Sequence, residues 1–167
     1  ITNLNYNSDK KNEFVVYQGA SLTITNTFSP NADFENYGTL KVGALNLNSN
    51  SDFENVGSFE VTSNNPTTIN GEVDNVGSFT TNGNLTINGG AKFKNECTAS
   101  INGDLQVNND FETKYGAYTN VTGKITINGS GELKTKDGSL VTANELHLNG
   151  EIDGDGSTSM VKIAAAT

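Results

Sequence analysis

Residues 51–61 read SDFENVGSFEV, and residues 32–42 read ADFENYGTLKV. Residues 71–81 (GEVDNVGSFTT) repeat this motif, and residues 91–101 (AKFKNECTASI) keep its pattern with other letters. The first apolar residue of each copy recurs at a nearly constant spacing, at Phe34, Phe53, Val73, Phe93, Phe111, Leu133 and Ile152. A nearly fixed period of this length is typical of stacked supersecondary units. We therefore expect about seven such units in the chain.

Two further motifs lie between these copies, and both carry apolar residues at spacing two. Spacing two places side chains on one face of a β-strand. The first motif reads like LTING, with its apolar pairs at Leu45/Leu47, Thr67/Ile69, Leu85/Ile87, Leu105/Val107, Ile125/Ile127 and Leu146/Leu148. SLTITN (21–26) is interpreted as an earlier copy of it. The second motif follows each FENxG, with apolar residues at Leu40/Val42, Phe59/Val61, Phe79/Thr81, Ala99/Ile101 and Leu140.

The turns between these segments are compatible with two all-β architectures, an antiparallel meander and a parallel coil. The six Asn-Gly pairs are typical of β-hairpins as well as of other tight turns. An antiparallel meander, however, does not require the same residue types to return at a constant interval. A parallel coil does, because equivalent positions stack about 4.8 Å apart and form rows. The sequence predicts a single-stranded, right-handed parallel β-helix (β-solenoid) of about seven coils, with three short strands per coil and almost no helix.

Within FEN, the alternation predicts that Phe points inward, that Glu points outward and that Asn returns inward at a bend. The Asn residues should stack and bond to one another, because a buried amide is costly without hydrogen bonds. This row comprises Asn36, Asn55, Asn75 and Asn95 and continues as Thr113 and Thr135. The outward row reads Glu35, Glu54, Asp74, Lys94, Glu112, Lys134 and Asp153, so its first three members carry like charge.

The predicted domain organisation is a cap followed by one solenoid domain. Residues 1–18 break the repeat, and solenoid ends need a cap over their open strand edges, so we assign 1–18 as the N-terminal cap and 19–167 as the solenoid. The first residue is Ile rather than Met, which indicates a trimmed chain. The apolar stretch at 157–167 suggests that a further C-terminal domain follows in the full-length protein.

Composition narrows the expected partners. The net charge is −9, and the 10 basic residues are all Lys. Nucleic acids and anionic membranes are bound through basic surfaces, so neither partner is expected, and no segment is expected to insert into a membrane. An acidic surface rich in Thr and Asn favours a secreted or cell-surface location.

The chain offers few residues for catalysis. Asp52 and Glu54 should form an acidic patch with Glu72 and Asp74 on the next coil, which we interpret as a solvated face. His147 is the only histidine and should face outward between two inward Leu residues. No triad, metal cluster or phosphate loop can be assembled, so we predict no enzyme, no catalytic residue, no cofactor and no metal site.

Three other features are compared with known kinds of site. Cys97, the only cysteine, replaces the Gly of FENxG and is expected to be a small buried thiol. Asp153 and Asp155 in EIDGDGS alternate with Gly as in calcium loops, but calcium needs six to eight oxygens, so a flexible turn is favoured and the question of calcium stays open. The outward row of the LTING-like motif contains too many residue types to form the regular Thr lattice of an ice-binding solenoid. This row comprises Thr23, Asn46, Thr68, Thr86, Gln106, Thr126 and His147. The five Tyr residues form no row on which sugars could stack.

Residues 83–109 (GNLTINGGAKFKNECTASINGDLQVNN) and 123–163 (GKITINGSGELKTKDGSLVTANELHLNGEIDGDGSTSMVKI) resemble the β-helical segments of Bacteroidetes adhesin-like surface proteins of the LruC-domain type. The resemblance spans about residues 32–163 and implies a secreted or outer-membrane-associated protein with a right-handed parallel β-helix. The expected function is a non-enzymatic, adhesin-like scaffold that contacts an extracellular glycan or protein. The alternative is a carbohydrate-binding or polysaccharide-processing β-helix.

Overall fold

In the computed structural model, which describes residues 14–155 and 158–164, the chain is an all-β parallel solenoid of about seven coils. The strands of successive coils stack into three faces, and every strand pair among the described residues is parallel. The described residues contain no helix. These observations confirm the predicted fold class and the predicted length of the repeat, and the right hand of the coil stays a prediction.

The first face holds the FEN motif and forms an eight-stranded sheet. Its strands pair in register, so that Phe34 faces Phe53 and Asn36 faces Asn55. The strands are β1 (Phe14–Val16), β3 (Phe34–Asn36), β5 (Asp52–Asn55), β8 (Glu72–Asn75), β11 (Lys92–Asn95), β14 (Asp110–Thr113), β17 (Glu132–Thr135) and β20 (Glu151–Gly154).

The second and third faces belong to one 13-stranded sheet. β2 (Ser21–Phe28) and β4 (Thr39–Leu47) run around the corner between these faces and join them. The second face continues with β6 (Ser58–Val61), β9 (Ser78–Thr81), β12 (Thr98–Ile101), β15 (Tyr118–Val121), β18 (Leu140–Ala143) and β21 (Met160–Ile163). The third face continues with β7 (Thr67–Ile69), β10 (Leu85–Ile87), β13 (Leu105–Val107), β16 (Lys124–Ile127) and β19 (Glu145–Leu148).

Two motif assignments from the sequence are wrong. The motif pattern assigns SLTITN to the third face, but Leu22 pairs with Leu40 and Ile24 with Val42 on the second face. Thr23 therefore stands in the row of Lys41 rather than in the row of Asn46. Because β2 continues through the corner without a turn, its alternation alone does not reveal which face it begins on.

The second error concerns Leu140, which the motif pattern assigns to the inward row of the second face. Leu140 pairs with Tyr118 and is only half-buried, whereas Val141 is fully buried. LVTA presents apolar residues at two consecutive positions, and a shift of one residue exchanges the two faces of a strand. The inward row therefore runs through Thr119, Val141 and Val161.

The core consists of inward rows filled by large side chains. Aromatic rings from the first and second faces interlock along the axis, alternating between stacked and edge-on contacts. Phe34 stacks on Phe53 at 4.1 Å between ring centroids, and Phe53 meets Phe59 edge-on at 4.9 Å. Such pairs add about 0.5–1.5 kcal/mol beyond burial. The repetition of Phe thus gives each of these coils an aromatic contact with its neighbours.

The predicted asparagine ladder is confirmed. All four Asn side chains are fully buried, and each of the first three donates from Nδ2 to Oδ1 of the next, at 2.7–2.8 Å. Asn95 ends the series by donating to Thr119 Oγ1 on the second face, which bonds Thr113 Oγ1. All the amides donate toward the C-terminal coils, so Asn36 Oδ1 is left buried without a hydrogen-bond partner among the described residues.

The glycine that follows each FENx is required by close backbone approach. A Cβ on Gly77 would lie 2.1 Å from the carbonyl oxygen of Gly57 in the preceding coil. Backbone contacts at this distance cannot be relieved by moving a flexible side chain. The glycine row therefore allows coils to stack at the corner between the first and second faces.

The two ends of the solenoid differ from its middle. Phe14–Val16 pairs in register with Phe34–Asn36 and extends the first face by one strand. Residues 1–13, which make up most of the predicted cap, lie outside the described residues. In the last coil Leu148 is 51% exposed, although its equivalents in earlier coils, Ile127 and Val107, are buried.

Candidate functional site

Because the inward rows are packed, side chains that can meet a partner lie on the outward rows. On the first face, the residues on either side of each inward apolar residue point outward. In three successive coils these positions bring six carboxylates around a shallow groove of about 190 Å³. This acidic groove is lined by Asp33, Glu35, Asp52, Glu54, Glu72 and Asp74.

Lys94 borders the acidic groove from the next coil. Its Nζ forms an ion pair with Glu72 and lies 3.2 Å from Asp74 Oδ1. From this coil onward Lys and carboxylate side chains alternate in the outward row, and Lys134 Nζ lies 3.6 Å from Asp110 Oδ1 of the preceding coil. The predicted outward row is confirmed by the strand register, including its like-charged beginning.

The like charges and partial burial change the ionisation of two carboxyls. The pKa of Asp52 is raised above its ordinary value, mainly by desolvation and then by the charges of Asp33, Glu72 and Asp74. The pKa of Glu54 is raised by desolvation and by Glu35 and Asp74. A carboxyl with a raised pKa is a better proton donor near neutral pH. This chemistry is the strongest argument for an enzyme on this chain.

The sequence predicts an acidic patch of Asp52, Glu54, Glu72 and Asp74, and the structure places all four in the acidic groove. Asp52 and Glu54 are exposed to solvent, as expected of a solvated face. Within the described residues, no group of three or more His, Cys, Asp or Glu side chains has a geometry that could hold a metal ion. Asp153 lies in the outward row beside Lys134, and Asp155 is exposed.

The sequence also predicts the orientation of His147 and the burial of Cys97. His147 is exposed, pairs with Thr126 in the outward row of the third face, and holds its Nε2 2.6 Å from Glu145 Oε1. Its predicted outward orientation is confirmed. The prediction that Cys97 is buried is wrong, since its side chain is exposed.

The turn explains why Cys97 is exposed. At the equivalent position the Gly77 amide donates to the Asn55 carbonyl of the preceding coil at 2.9 Å. The Cys97 amide bonds instead to Oδ1 of Asn95 at 3.4 Å. The backbone amide at Cys97 therefore has a different hydrogen-bond acceptor from the amide at Gly77. If Cys97 took the backbone position of Gly77, its Cβ would clash with the backbone of the preceding coil.

A second groove, which the sequence did not reveal, lies on the second face near the last coils. It has a volume of about 480 Å³, and its polar lining includes Tyr118, Asn120, Thr142, Asn144 and Lys162. Like the acidic groove it is open to solvent, and its volume is the larger of the two. The misplaced register at Leu140 concealed this groove, because the correct register aligns Asn120, Thr142 and Lys162 in one outward row.

Comparison of the chain with protein-family models, with curated proteins and with solved structures gives no match. The stacked parallel strands define the chain as a parallel β-solenoid repeat protein. In the part of the chain that the structure describes, no helix is long and apolar enough to span a membrane.

Proposed function

We propose that the chain is a non-enzymatic scaffold, secreted or displayed at the cell surface, whose outward rows contact an extracellular glycan or protein. The observation that carries this proposal is that the inward rows form the core whereas the outward rows form a repeated polar surface. Inward positions are packed with apolar rows and the asparagine ladder, whereas outward positions repeat polar side chains one coil apart. Solenoids of this kind offer extended surfaces for binding rather than one enclosed pocket.

The electrostatics of the outward rows support a rigid polar surface. Lys114 pairs with Glu96 at 3.0 Å, and Lys41 pairs with Glu60 at 2.8 Å, in each case across adjacent coils. The net charge of −9 disfavours nucleic acid and anionic lipid as partners. The resemblance to adhesin-like β-helices of surface proteins supports the same interpretation of location and role.

The test is a binding screen with the purified chain against immobilised glycans and extracellular host proteins. We expect saturable binding to at least one ligand and no turnover of it. The matched control is the same chain held unfolded in urea, which keeps the composition but loses the stacked rows. Binding that survives loss of the folded solenoid would contradict a role for the stacked rows, and so would the absence of any saturable ligand.

The acidic groove favours a second candidate, a polysaccharide-processing β-helix. The raised pKa values of Asp52 and Glu54 would suit a proton donor, and Glu72 and Asp74 would supply neighbouring carboxylates. The test compares polysaccharide cleavage by the wild type and by a variant with all four changed to Asn or Gln. Cleavage by the wild type that disappears in the variant would establish this second function and overturn the scaffold proposal.

A further inference from the structure

Contacts among the side chains of adjacent coils hold the polar groups of the groove on the second face. Tyr118 OH lies 3.3 Å from Asn120 Oδ1 and 3.2 Å from Thr142 Oγ1. Thr142 Oγ1 donates to the same Asn120 Oδ1 at 2.8 Å. These three side chains from two coils form a triangle in which the Thr142 hydroxyl donates to Asn120 Oδ1 and the Tyr118 hydroxyl donates to one of its two neighbours. The phenol and the amide are therefore held in place without a ligand.

The triangle determines which atoms remain for a ligand. Asn120 Oδ1 is occupied by its contacts with Tyr118 and Thr142, so the amide is oriented with Nδ2 as its unused end. Among the described residues Nδ2 of Asn120 forms no hydrogen bond. Tyr118 is 39% exposed, which leaves part of its ring open beside these donors. An amide donor next to an aromatic surface suits a ring that carries both hydroxyl and C–H groups.

The charge of the groove is opposite to that of the protein. Among the described residues that line it, Lys162 is the one charged residue and none is a carboxylate. Lys162 has no carboxylate within ion-pair distance in the described part of the chain, whereas Lys94 and Lys134 on the first face are paired. On a chain of net charge −9, this groove is a local site of positive charge. Its charge is complementary to an anionic ligand.

We propose that the groove between Tyr118 and Lys162 binds a carboxylated sugar, with the pyranose ring against Tyr118 and the carboxylate toward the Lys162 ammonium. The Asn120 amide donates to a ring hydroxyl. This inference rests on the proposed contact with an extracellular glycan or protein and narrows it to one groove and one chemical class. A neutral sugar lacks the group that Lys162 requires, and an acyclic anion lacks the ring that fits Tyr118.

The experiment titrates three probes of similar length into the full chain by calorimetry. The probes are a trimer of galacturonic acid, its fully methyl-esterified form and a trimer of glutamic acid. We expect the galacturonate trimer to bind about tenfold or more tightly than either of the others, since a charge-assisted hydrogen bond is lost with the ester. Its affinity should fall as salt rises, because the contact is exposed to screening.

Two variants test the assignment of residues. Lys162→Met keeps the aliphatic stem and should weaken galacturonate binding about tenfold while leaving the weak binding of the ester unchanged. Tyr118→Ser should weaken both sugar probes. The matched control is Lys92→Met, which removes an exposed lysine from the first face and should bind like the wild type. Lys162 and Lys92 are exposed, so near-identical melting curves are expected for Lys162→Met, Lys92→Met and the wild type.

The outcomes separate this inference from the proposed function. Equal binding of galacturonate by the wild type and Lys162→Met would overturn the groove assignment, and so would equal or tighter binding of the glutamate trimer. No binding of galacturonate at millimolar concentration would overturn it as well. If galacturonate binds the wild type and Lys162→Met equally while both still capture the same glycan or protein in the wider screen, the scaffold function stands and only the groove assignment fails.

Discussion

Replacement of Asn75 by Leu tests whether the asparagine ladder stabilises the stacked coils. The Asn75 side chain is fully buried, and its Nδ2 donates to Asn95 Oδ1 at 2.8 Å and to the Thr98 carbonyl at 2.9 Å. Leu has nearly the same shape but no donor. Each buried polar group that loses its partner costs about 1–3 kcal/mol. Because the added apolar surface offsets part of this cost, we expect the free energy of unfolding to fall by about 2–4 kcal/mol.

The assay is equilibrium urea unfolding followed by far-ultraviolet circular dichroism, with two comparison variants. Asn102→Leu removes an exposed amide that donates to Asn82 Oδ1 at 3.1 Å, and it should change stability by less than about 0.5 kcal/mol. Asn36→Leu should cost less than Asn75→Leu, because it also removes the buried, unpaired Oδ1. Equal midpoints for Asn75→Leu and the wild type would refute the stabilising role of the ladder.

Three further substitutions probe the core, the open end of the ladder and the acidic groove. Phe53→Ala should cost about 3–5 kcal/mol in the same unfolding assay, through lost burial and a cavity, and a loss below about 1 kcal/mol would contradict its place in the aromatic stack. Val16→Asn places a donor opposite Asn36 Oδ1 and should stabilise by about 1 kcal/mol, whereas Val16→Asp, which brings a second acceptor, should destabilise; equal effects would exclude this pairing. Since the pKa of Asp52 is raised in the folded state, the folded protein holds this proton more tightly and stability falls as pH rises above the ordinary value of 3.8. Asp52→Asn should therefore melt at a higher temperature than the wild type at pH 7 and at the same temperature below pH 3.8, and an unchanged melting temperature at pH 7 would contradict this effect.

The sequence was sufficient to predict the fold because neighbouring coils need near-identical residues at stacked positions. Phe53 needs an aromatic or aliphatic partner above and below, and Asn55 needs an amide on either side. These requirements appear in the sequence as repeats, and the predicted rows of the first face have the register that the structure shows. Outward positions such as Glu54 and Asp74 followed from the alternation alone.

Errors occurred where the alternation did not determine the face. At Leu140 two consecutive apolar residues permit either register, and in SLTITN a strand passes through a corner without a turn signal. The prediction for Cys97 depended on the residue type usual at its position, but burial there depends on the path of the peptide. The groove near Tyr118 was missed for a related reason, since Thr142 and Lys162 approach it only in the correct register.

The most direct test of the parallel stack is the distance between outward positions of the first face in solution. Spin labels are placed on Glu35 together with Glu112, and on Glu35 together with Asp153, each replaced by Cys in a Cys97→Ser background. The strand register separates these pairs by four and six coils. At about 4.8 Å per coil, electron-electron double resonance should give separations of about 19 Å and about 29 Å, with a difference of about 10 Å between the pairs. Equal separations for the two pairs, or a shorter distance for the six-coil pair, would contradict the parallel solenoid.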